Sequence, residues 1–180
     1  MAKDERYGTV RPMFTRQKLK TFGDIFKLVP KSVVAADLGK EKGRFNELVE
    51  NPDDFILQEI IKLSGNCNLT LPEMAVLLKP ECQKNKKDND QKKVYEYEIV
   101  RPMFEEQKIN LFEDIFKYIP KSTVAINIGK KRERFYQAMT HVENFFVRDI
   151  VEIGRLCDLT IPEMFKLVEA QYAKQNNRKS

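Results

Sequence analysis

The sequence of 180 residues contains few of the residues that usually build catalytic or metal sites. It has one histidine, His141, and three cysteines, none of them in a Cys-x-x-Cys spacing. Three cysteines cannot all pair with one another, and with one histidine they assemble neither a zinc site nor a Cys/His nucleophile. The seven glycines form no glycine-rich phosphate-binding loop. We therefore expect a protein that is not an enzyme, with no metal and no cofactor.

Long apolar runs are also missing. No stretch approaches the roughly 18 apolar residues of a membrane-spanning helix, and the start, MAKDERYGTV, is too charged for a signal peptide. We expect a soluble cytoplasmic protein that contacts no membrane and keeps its cysteines reduced. Cys67 and Cys157 end apolar helical patterns and should be buried, whereas Cys82 begins a polar stretch and is a candidate for an exposed thiol.

An internal repeat organises the rest of the chain. Residues 31–48, KSVVAADLGKEKGRFNEL, return ninety positions later as residues 121–138, KSTVAINIGKKRERFYQA. A chain of this length can hold one domain or two small ones, and the repeat favours two. The predicted organisation is a first domain at 1–81, a polar basic linker at 82–96, a second domain at 97–171 and a basic tail at 172–180.

The repeated stretch has the spacing of two short helices joined by a tight turn. Val34 and Leu38 lie one helical turn apart on a face that can be buried. Gly39 can adopt the left-handed backbone that ends a helix. Phe45 and Leu48 then anchor the second helix, and the second copy keeps the same apolar positions and glycine. The sequence therefore predicts a helix pair at about 32–39 and 41–50 and its equivalent ninety residues later.

Apolar periodicity predicts three further helices in each copy. In the first copy they cover Phe22–Val29, the stretch from Leu57 to Ser64, and the stretch after Thr70. Ser32 and Ser122 are interpreted as N-caps of the first motif helices. Capping-box patterns are expected at Thr21 with Asp24, Asn110 with Glu113, Thr70 with Glu73 and Thr160 with Glu163.

A proline-containing segment opens each copy. Residues 7–17 and 97–107 share Tyr, Val-Arg-Pro-Met-Phe and Gln. Pro12 and Pro102 disfavour a helix and push the preceding residue towards extended geometry. We therefore expect an extended arm over each core, with a short strand at Val94–Val100.

The pattern Val34-Ala35, Leu38-Gly39, Phe45 and Leu48, followed by Phe55 to Leu63 and LTLPEM, resembles the lambda-repressor-like (XRE) helix-turn-helix family. The resemblance covers nearly the whole of each repeat. It implies an all-α protein of two tandem five-helix lambda-repressor-like bundles, each preceded by its short extended arm. It also implies sequence-specific binding of double-stranded DNA and a role in transcriptional regulation. Lys40 and Lys130 stand where that family usually has an apolar residue.

The outward face of each motif supplies the candidate DNA-binding residues. A short helix with exposed basic and amide groups suits the DNA major groove. We expect Arg44 and Arg134 at a phosphate or a guanine, and Lys31 and Lys121 at phosphates. The two faces differ, so the preferred half-sites should be unlike. The full set is Lys31, Ser32, Lys40, Lys42, Arg44, Asn46, Lys121, Ser122, Lys130, Lys131, Arg132, Arg134, Tyr136 and Gln137.

The charge distribution supports this assignment locally. The formal net charge is +5, but residues 7–81 carry eleven basic and ten acidic side chains, and residues 97–171 carry eleven and twelve. Residues 27–44 carry five basic and two acidic side chains, and residues 117–134 carry six and one. Each domain should therefore have a basic face at its motif and an acidic face opposite. As a coil the linker would span roughly 20 Å, and about 50 Å when stretched, enough to reach successive major grooves.

Other interpretations stay open. Near-neutral domains also suit a protein-interaction module on the same helical scaffold, such as a mobile-element accessory protein or an antitoxin. Charged residues on a helix are most often only a solvated face. The second repeat, with the denser basic cluster, could bind DNA alone, and self-association or another protein partner is left open.

Overall fold

The computed structural model describes residues 4–82 and 95–177, and every regular element in these ranges is helical. Within residues 4–82 the α-helices are α1 (Val10–Thr15), α2 (Ile25–Leu28), α3 (Lys31–Asp37), α4 (Lys42–Glu50), α5 (Leu57–Cys67) and α6 (Leu71–Cys82). Within residues 95–177 they are α7 (Val100–Glu105), α8 (Lys121–Asn127), α9 (Arg132–Thr140), α10 (Val147–Leu156) and α11 (Ile161–Asn177). The prediction of an all-α protein is confirmed.

Short 3-10 segments precede or join these helices. They are Glu5–Thr9, Phe22–Asp24, Pro52–Asp54, Tyr95–Tyr97, Phe112–Lys117 and Val142–Asn144. Most of the predicted linker, at 83–94, and the last three residues lie outside the described residues. None of the helices in the described ranges is long and apolar enough to cross a membrane.

Edge-to-face phenylalanine rings fill the centre of each copy. Their centroids are 5.2 to 6.0 Å apart in the first copy, formed by Phe22, Phe26, Phe45 and Phe55. The second copy repeats the arrangement at 5.4 to 5.7 Å with Phe112, Phe116, Phe135 and Phe145. Such pairs favour this geometry because a ring edge is positive and a ring face negative. Phe45 and Phe135 belong to α4 and α9, so the cluster fixes these helices to the core.

The predicted glycine corners are present in both copies. Gly39 has φ +68° and Gly129 has φ +69°, a left-handed backbone that glycine adopts without a Cβ clash. The following residue closes the helix end, because the Lys40 N–H donates to the Ala35 carbonyl at 2.8 Å. The Lys130 N–H donates in the same way to Ala125 at 2.7 Å. These corners set the direction in which α4 and α9 leave α3 and α8.

The predicted extended arms are wrong, because these segments are helical. In each copy a 3-10 turn leads into α1 or α7. Pro12 and Pro102 are the third residues of these helices, where a backbone N–H has no intrahelical partner to lose. The repeated Gln17 and Gln107 lie two residues beyond the ends of these helices and have φ 55° and 58°. The strand expected at Val94–Val100 is also absent: Tyr95–Tyr97 is a 3-10 turn, Val100 begins α7, and Val94 lies outside the described residues.

Several predicted helix starts differ in detail. Ser32 and Ser122 are the second residues of α3 and α8, and the N-cap positions are the prolines before Lys31 and Lys121. The box expected at Asn110 with Glu113 is shifted by one residue, because Asp114 accepts the N–H groups of Asn110 at 3.0 Å and Leu111 at 2.8 Å. The helix expected at Phe22–Val29 starts as a 3-10 turn, and its second copy is 3-10 throughout.

The remaining predicted boxes agree with the structure. Asp24 accepts the Thr21 N–H at 3.0 Å. At the start of α6, Glu73 accepts from both the N–H and the hydroxyl of Thr70, at 2.8 and 3.1 Å. Glu163 repeats this at the start of α11, with 2.7 and 2.8 Å to Thr160. These caps satisfy donors that the first turn of a helix leaves free.

The last helix of each copy is longer than expected. Helix α6 continues past Pro80, so Cys82 is its last residue and only 5% exposed instead of an exposed linker thiol. Helix α11 runs to Asn177, so most of the predicted basic tail is helical. Cys67 and Cys157 are buried as predicted.

The two copies pack directly on each other. Helices α6 and α11 make the most extensive helix–helix contact in residues 4–82 and 95–177. Ile56 and Phe146 form an antiparallel β-bridge between the copies. The copies are therefore joined by protein contacts in addition to the chain connection.

Candidate nucleic-acid interface

The first turns of α4 and α9 present an exposed polar surface. In α4, Lys42, Gly43 and Arg44 are exposed in succession, and the next residue, Phe45, is completely buried. In α9 the same pattern reads Arg132, Glu133, Arg134 and then buried Phe135. Each helix is thus anchored by its apolar side while its basic side faces solvent.

The two exposed surfaces carry different side chains. Arg44 donates to the Glu47 carboxylate at 2.8 Å, and this bond raises the pKa of the arginine above its usual range. The position equivalent to Glu47 in α9 is Gln137, which is exposed and uncharged. Beside these residues, half-buried Asn46 in α4 is replaced by Tyr136, which is 44% exposed in α9. Glu133 stands where α4 has Gly43, but over residues 131–140 three basic side chains face one acidic, against two and three over residues 41–50. The second surface is therefore more basic, and Tyr136 makes it more apolar.

Lys40 and Lys130 have internal partners, a role that the sequence analysis did not predict. The Lys130 ammonium lies 2.6 Å from the Asp149 carboxylate, which is 3% exposed. Lys40 pairs with Glu59, which is 7% exposed. The carboxylates also accept the N–H groups at the starts of α5 and α10, at 3.2 and 3.1 Å. The lysines thus join the glycine corner to the next helix, which explains how a charged residue occupies an expected apolar position.

The other candidate residues lie around the same corners. Lys31 and Lys121 begin α3 and α8, and Lys31 is half-buried whereas Lys121 is exposed. Ser32 is exposed and Ser122 half-buried. Lys131 is exposed at the N-cap position of α9. The structure therefore groups all the predicted residues on the two helix pairs, with Lys40 and Lys130 turned inward.

The helical arm segments support the motif through residues to which the sequence analysis gave no role. The Tyr7 hydroxyl donates to Asp37, the last residue of α3, at 2.9 Å. Burial, together with this carboxylate, raises the pKa of Tyr7. In the second copy the Asn127 amide donates to the Tyr97 hydroxyl at 2.9 Å. The signal available in the sequence was the repeated tyrosine, and its partner lies thirty residues further on in both copies.

The arginine of the repeated Val-Arg-Pro-Met-Phe segment also has a structural role. The Arg101 guanidinium lies 3.0 Å from Glu163 and 3.3 Å from the Asp158 carbonyl, so it joins α7 to the end of α10 and the start of α11. Arg11 makes the equivalent contacts with Glu73 and the Asn68 carbonyl. These arginines therefore act within each copy and are not part of the exposed motif surface.

His141 follows α9 as its C-cap residue, and its Nδ1 atom lies 3.3 Å from the Glu143 carboxylate. In residues 4–82 and 95–177 no group of three or more His, Cys, Asp and Glu side chains is arranged to hold a metal ion.

No protein-family model matches the chain, and no curated protein or solved structure matches it significantly. What the two motif surfaces bind is therefore inferred from their own side chains and geometry.

Proposed function

We propose that the chain binds double-stranded DNA through α4 and α9 and acts in transcriptional regulation. The observation that carries this proposal is the twice-repeated corner, in which a glycine turn and a buried phenylalanine hold a short basic helix with its charged side in solvent. Such a helix fits the major groove of B-DNA. In this proposal each copy is a five-helix lambda-repressor-like bundle, and the helical arm segments are additions to it.

Arg44 and Arg134 are the proposed central contacts. They hold the same position in both copies and are exposed next to the buried phenylalanine. A bidentate arginine contact with guanine contributes about 1 to 3 kcal/mol of base discrimination. Lys31, Lys121 and Lys42 are assigned to phosphates, which position a protein on DNA without specifying its sequence. The same role is proposed for four further residues: Lys131, Arg132, Ser32 and Ser122.

The two helices should prefer different half-sites. Glu47 can accept a hydrogen bond from cytosine, whereas Gln137 can bind adenine through both of its amide atoms. Tyr136 offers an apolar contact where Asn46 offers an amide. An asymmetric site is therefore expected instead of a perfect palindrome.

The first test is the double variant Arg44→Ala/Arg134→Ala. We expect duplex affinity to fall by at least about tenfold, because two charge contacts are lost, while circular dichroism stays unchanged because both side chains are exposed. The matched control is Lys18→Ala/Lys108→Ala, which removes the same charge from equivalent exposed positions outside the motif. Equal losses in both double variants would show that binding does not use α4 and α9.

The salt dependence of binding to generic duplex provides a second test. Neutralising several phosphates should make the logarithm of the affinity fall linearly with the logarithm of salt concentration, with a slope of about −0.9 per phosphate contact. No measurable affinity at low salt would remove the DNA proposal.

The second candidate function is protein interaction through the same scaffold. Its specific support is two exposed apolar side chains on the second motif, Ile126 at 56% and Tyr136 at 44%. Their equivalents in the first copy, Ala36 and Asn46, are smaller or polar. Absence of DNA affinity at low salt, with loss of protein binding in Ile126→Ala/Tyr136→Ala, would favour this function.

A further inference from the structure

The contact between the copies is reciprocal. The Leu57 N–H donates to the Phe145 carbonyl at 2.8 Å, and the Val147 N–H donates to the Phe55 carbonyl at 2.8 Å. Residues 55 and 57 are the repeat equivalents of 145 and 147. Each copy thus offers the same donor and acceptor to the other, as in an isologous interface, which requires a two-fold rotation. A head-to-tail arrangement would instead join unlike surfaces.

The helix contact agrees with the same rotation. Helix α6 packs on α11, its own equivalent in the other copy. The 3-10 segment Pro52–Asp54 contacts α10, and its equivalent Val142–Asn144 contacts α5. Three pairs of equivalent elements are therefore related by one local pseudo-two-fold axis, which passes beside the Ile56–Phe146 bridge.

Polar contacts at this interface distinguish the two copies. Arg148 pairs with Asp54 at 2.5 Å, whereas the equivalent pair across the axis is Gln58 and Asn144. The Leu71 N–H donates to the Glu169 carboxylate at 2.9 Å. The equivalent of Glu169 is Lys79, whose ammonium cannot accept a hydrogen bond. Two first copies would therefore lose both contacts, so the interface disfavours the pairing of two first copies.

From this we infer that the chain binds two half-sites in inverted orientation at one fixed spacing, which the contact between the copies sets and the linker does not. The inference rests on the proposed DNA binding. A two-fold axis between the copies relates α4 to α9 by the same rotation that relates the two strands of a duplex. Dimeric helix-turn-helix proteins follow this geometry with half-sites about 34 Å apart. A pair of copies joined only by a flexible connection would instead tolerate several spacings and both orientations.

The experiment is selection from a random duplex pool with two full-length proteins. One is the natural chain. The other carries a Gly/Ser insertion of about twelve residues between positions 88 and 89, which raises the average span of a flexible connection from roughly 20 Å to about 28 Å. We expect both proteins to enrich the same two unlike half-sites, inverted and at a single spacing.

Direct repeats, a lone half-site, or a spacing that widens in the lengthened protein would overturn the inference while leaving DNA binding intact. Enrichment of no sequence by the natural chain, together with no affinity for generic duplex at low salt, would instead remove the proposed function on which the inference rests. The two failures are therefore distinguishable.

Discussion

The lysine that follows each glycine corner, Lys40 or Lys130, has a structural partner although it belongs to a run of otherwise exposed charges. Lys130 stands next to exposed Lys131, yet its ammonium reaches a nearly buried carboxylate on α10. Its ammonium also lies 4.9 Å from the centre of the Phe146 ring. From the sequence, both lysines were predicted to lie on the proposed DNA-binding surface, because the roles of two adjacent lysines cannot be told apart without knowing where the next helix packs.

Removing Lys130 should therefore destabilise the protein more than removing its neighbour. Lys130→Ala leaves the Asp149 carboxylate without its cation, and we expect a loss of about 1 to 3 kcal/mol in the free energy of unfolding. Lys131→Ala removes the same charge from solvent and should change it by less than about 0.5 kcal/mol. Urea unfolding measures the free energy of unfolding of both variants. Equal effects would mean that the ion pair contributes nothing beyond an exposed lysine.

Gly154 is a second position where one atom matters. A Cβ there would lie 2.7 Å from Met164 Cγ and 3.1 Å from the Leu159 carbonyl oxygen, whereas a Cβ at Gly65 would meet nothing within 4 Å. We expect Gly154→Ala to lower the free energy of unfolding by about 1 to 3 kcal/mol through overpacking.

Gly65→Ala is the matched change in the equivalent helix of the first copy, and it should raise stability by about 0.5 to 1 kcal/mol because alanine is the better helix former. Thermal unfolding of the two variants and of the natural chain measures both stability changes. A stabilising Gly154→Ala would show that Met164 moves aside at little cost.

At the scale of the element, the helices marked by apolar periodicity, by a glycine corner or by a capping box could be predicted from the sequence. Gly39, Phe45 and the Thr70–Glu73 box carry local signals, because a positive φ, an apolar period and a cap each depend on nearby residues. The arms could not be predicted in this way. Pro12 disfavours the middle of a helix but suits its first turn, and which applies depends on where the helix starts.

The arm helix α7 is tied to α11 through a carboxylate whose ionisation depends on pH. Burial opposes the ionisation of Glu163, but hydrogen bonds from Thr160 and the charge of Arg101 outweigh it and lower its pKa below the ordinary 4.5. A lowered folded-state pKa gives stability that is present above pH 4.5 and is lost as the pH falls through the folded value. The start of α11 should therefore weaken in acid.

We expect the free energy of unfolding of the natural chain to decrease below about pH 4.5, and Glu163→Gln to show a shallower decrease because it lacks this ionisation. Glu98→Gln, an exposed neighbour of α7, is the control and should keep the natural slope. Urea unfolding across this pH range measures all three proteins. An unchanged slope in Glu163→Gln would place the acid sensitivity elsewhere.

At the scale of the whole molecule, the sequence predicted two copies but not how they meet. Each signal in the repeat reports on one copy, because caps, turns and apolar periods involve residues close in sequence. The bridge at Ile56 joins backbone groups about ninety residues apart. Backbone hydrogen bonds require no particular side chains, so this bridge leaves no pattern in the sequence. The linker composition favoured independent domains, whereas the described residues place α6 and α11 in contact.

If the interface holds the copies together, the covalent connection should be dispensable after folding. We would insert a specific protease site within 83–94 of the full chain, cleave it, and follow both halves by size-exclusion chromatography. We expect them to elute together, because the reciprocal backbone hydrogen bonds and the α6–α11 contact remain.

The variant Asp54→Arg/Glu169→Lys tests the two polar contacts that Asp54 and Glu169 make across the interface. It places cations beside Arg148 and beside the Leu71 N–H, so cleaved halves should separate at higher protein concentration than those of the natural chain. Glu5→Arg/Glu96→Lys makes the same charge change at exposed positions outside these contacts and should leave association unchanged. Natural halves that separate on cleavage would show that the linker holds the copies together, and the fixed half-site spacing would lose its structural basis.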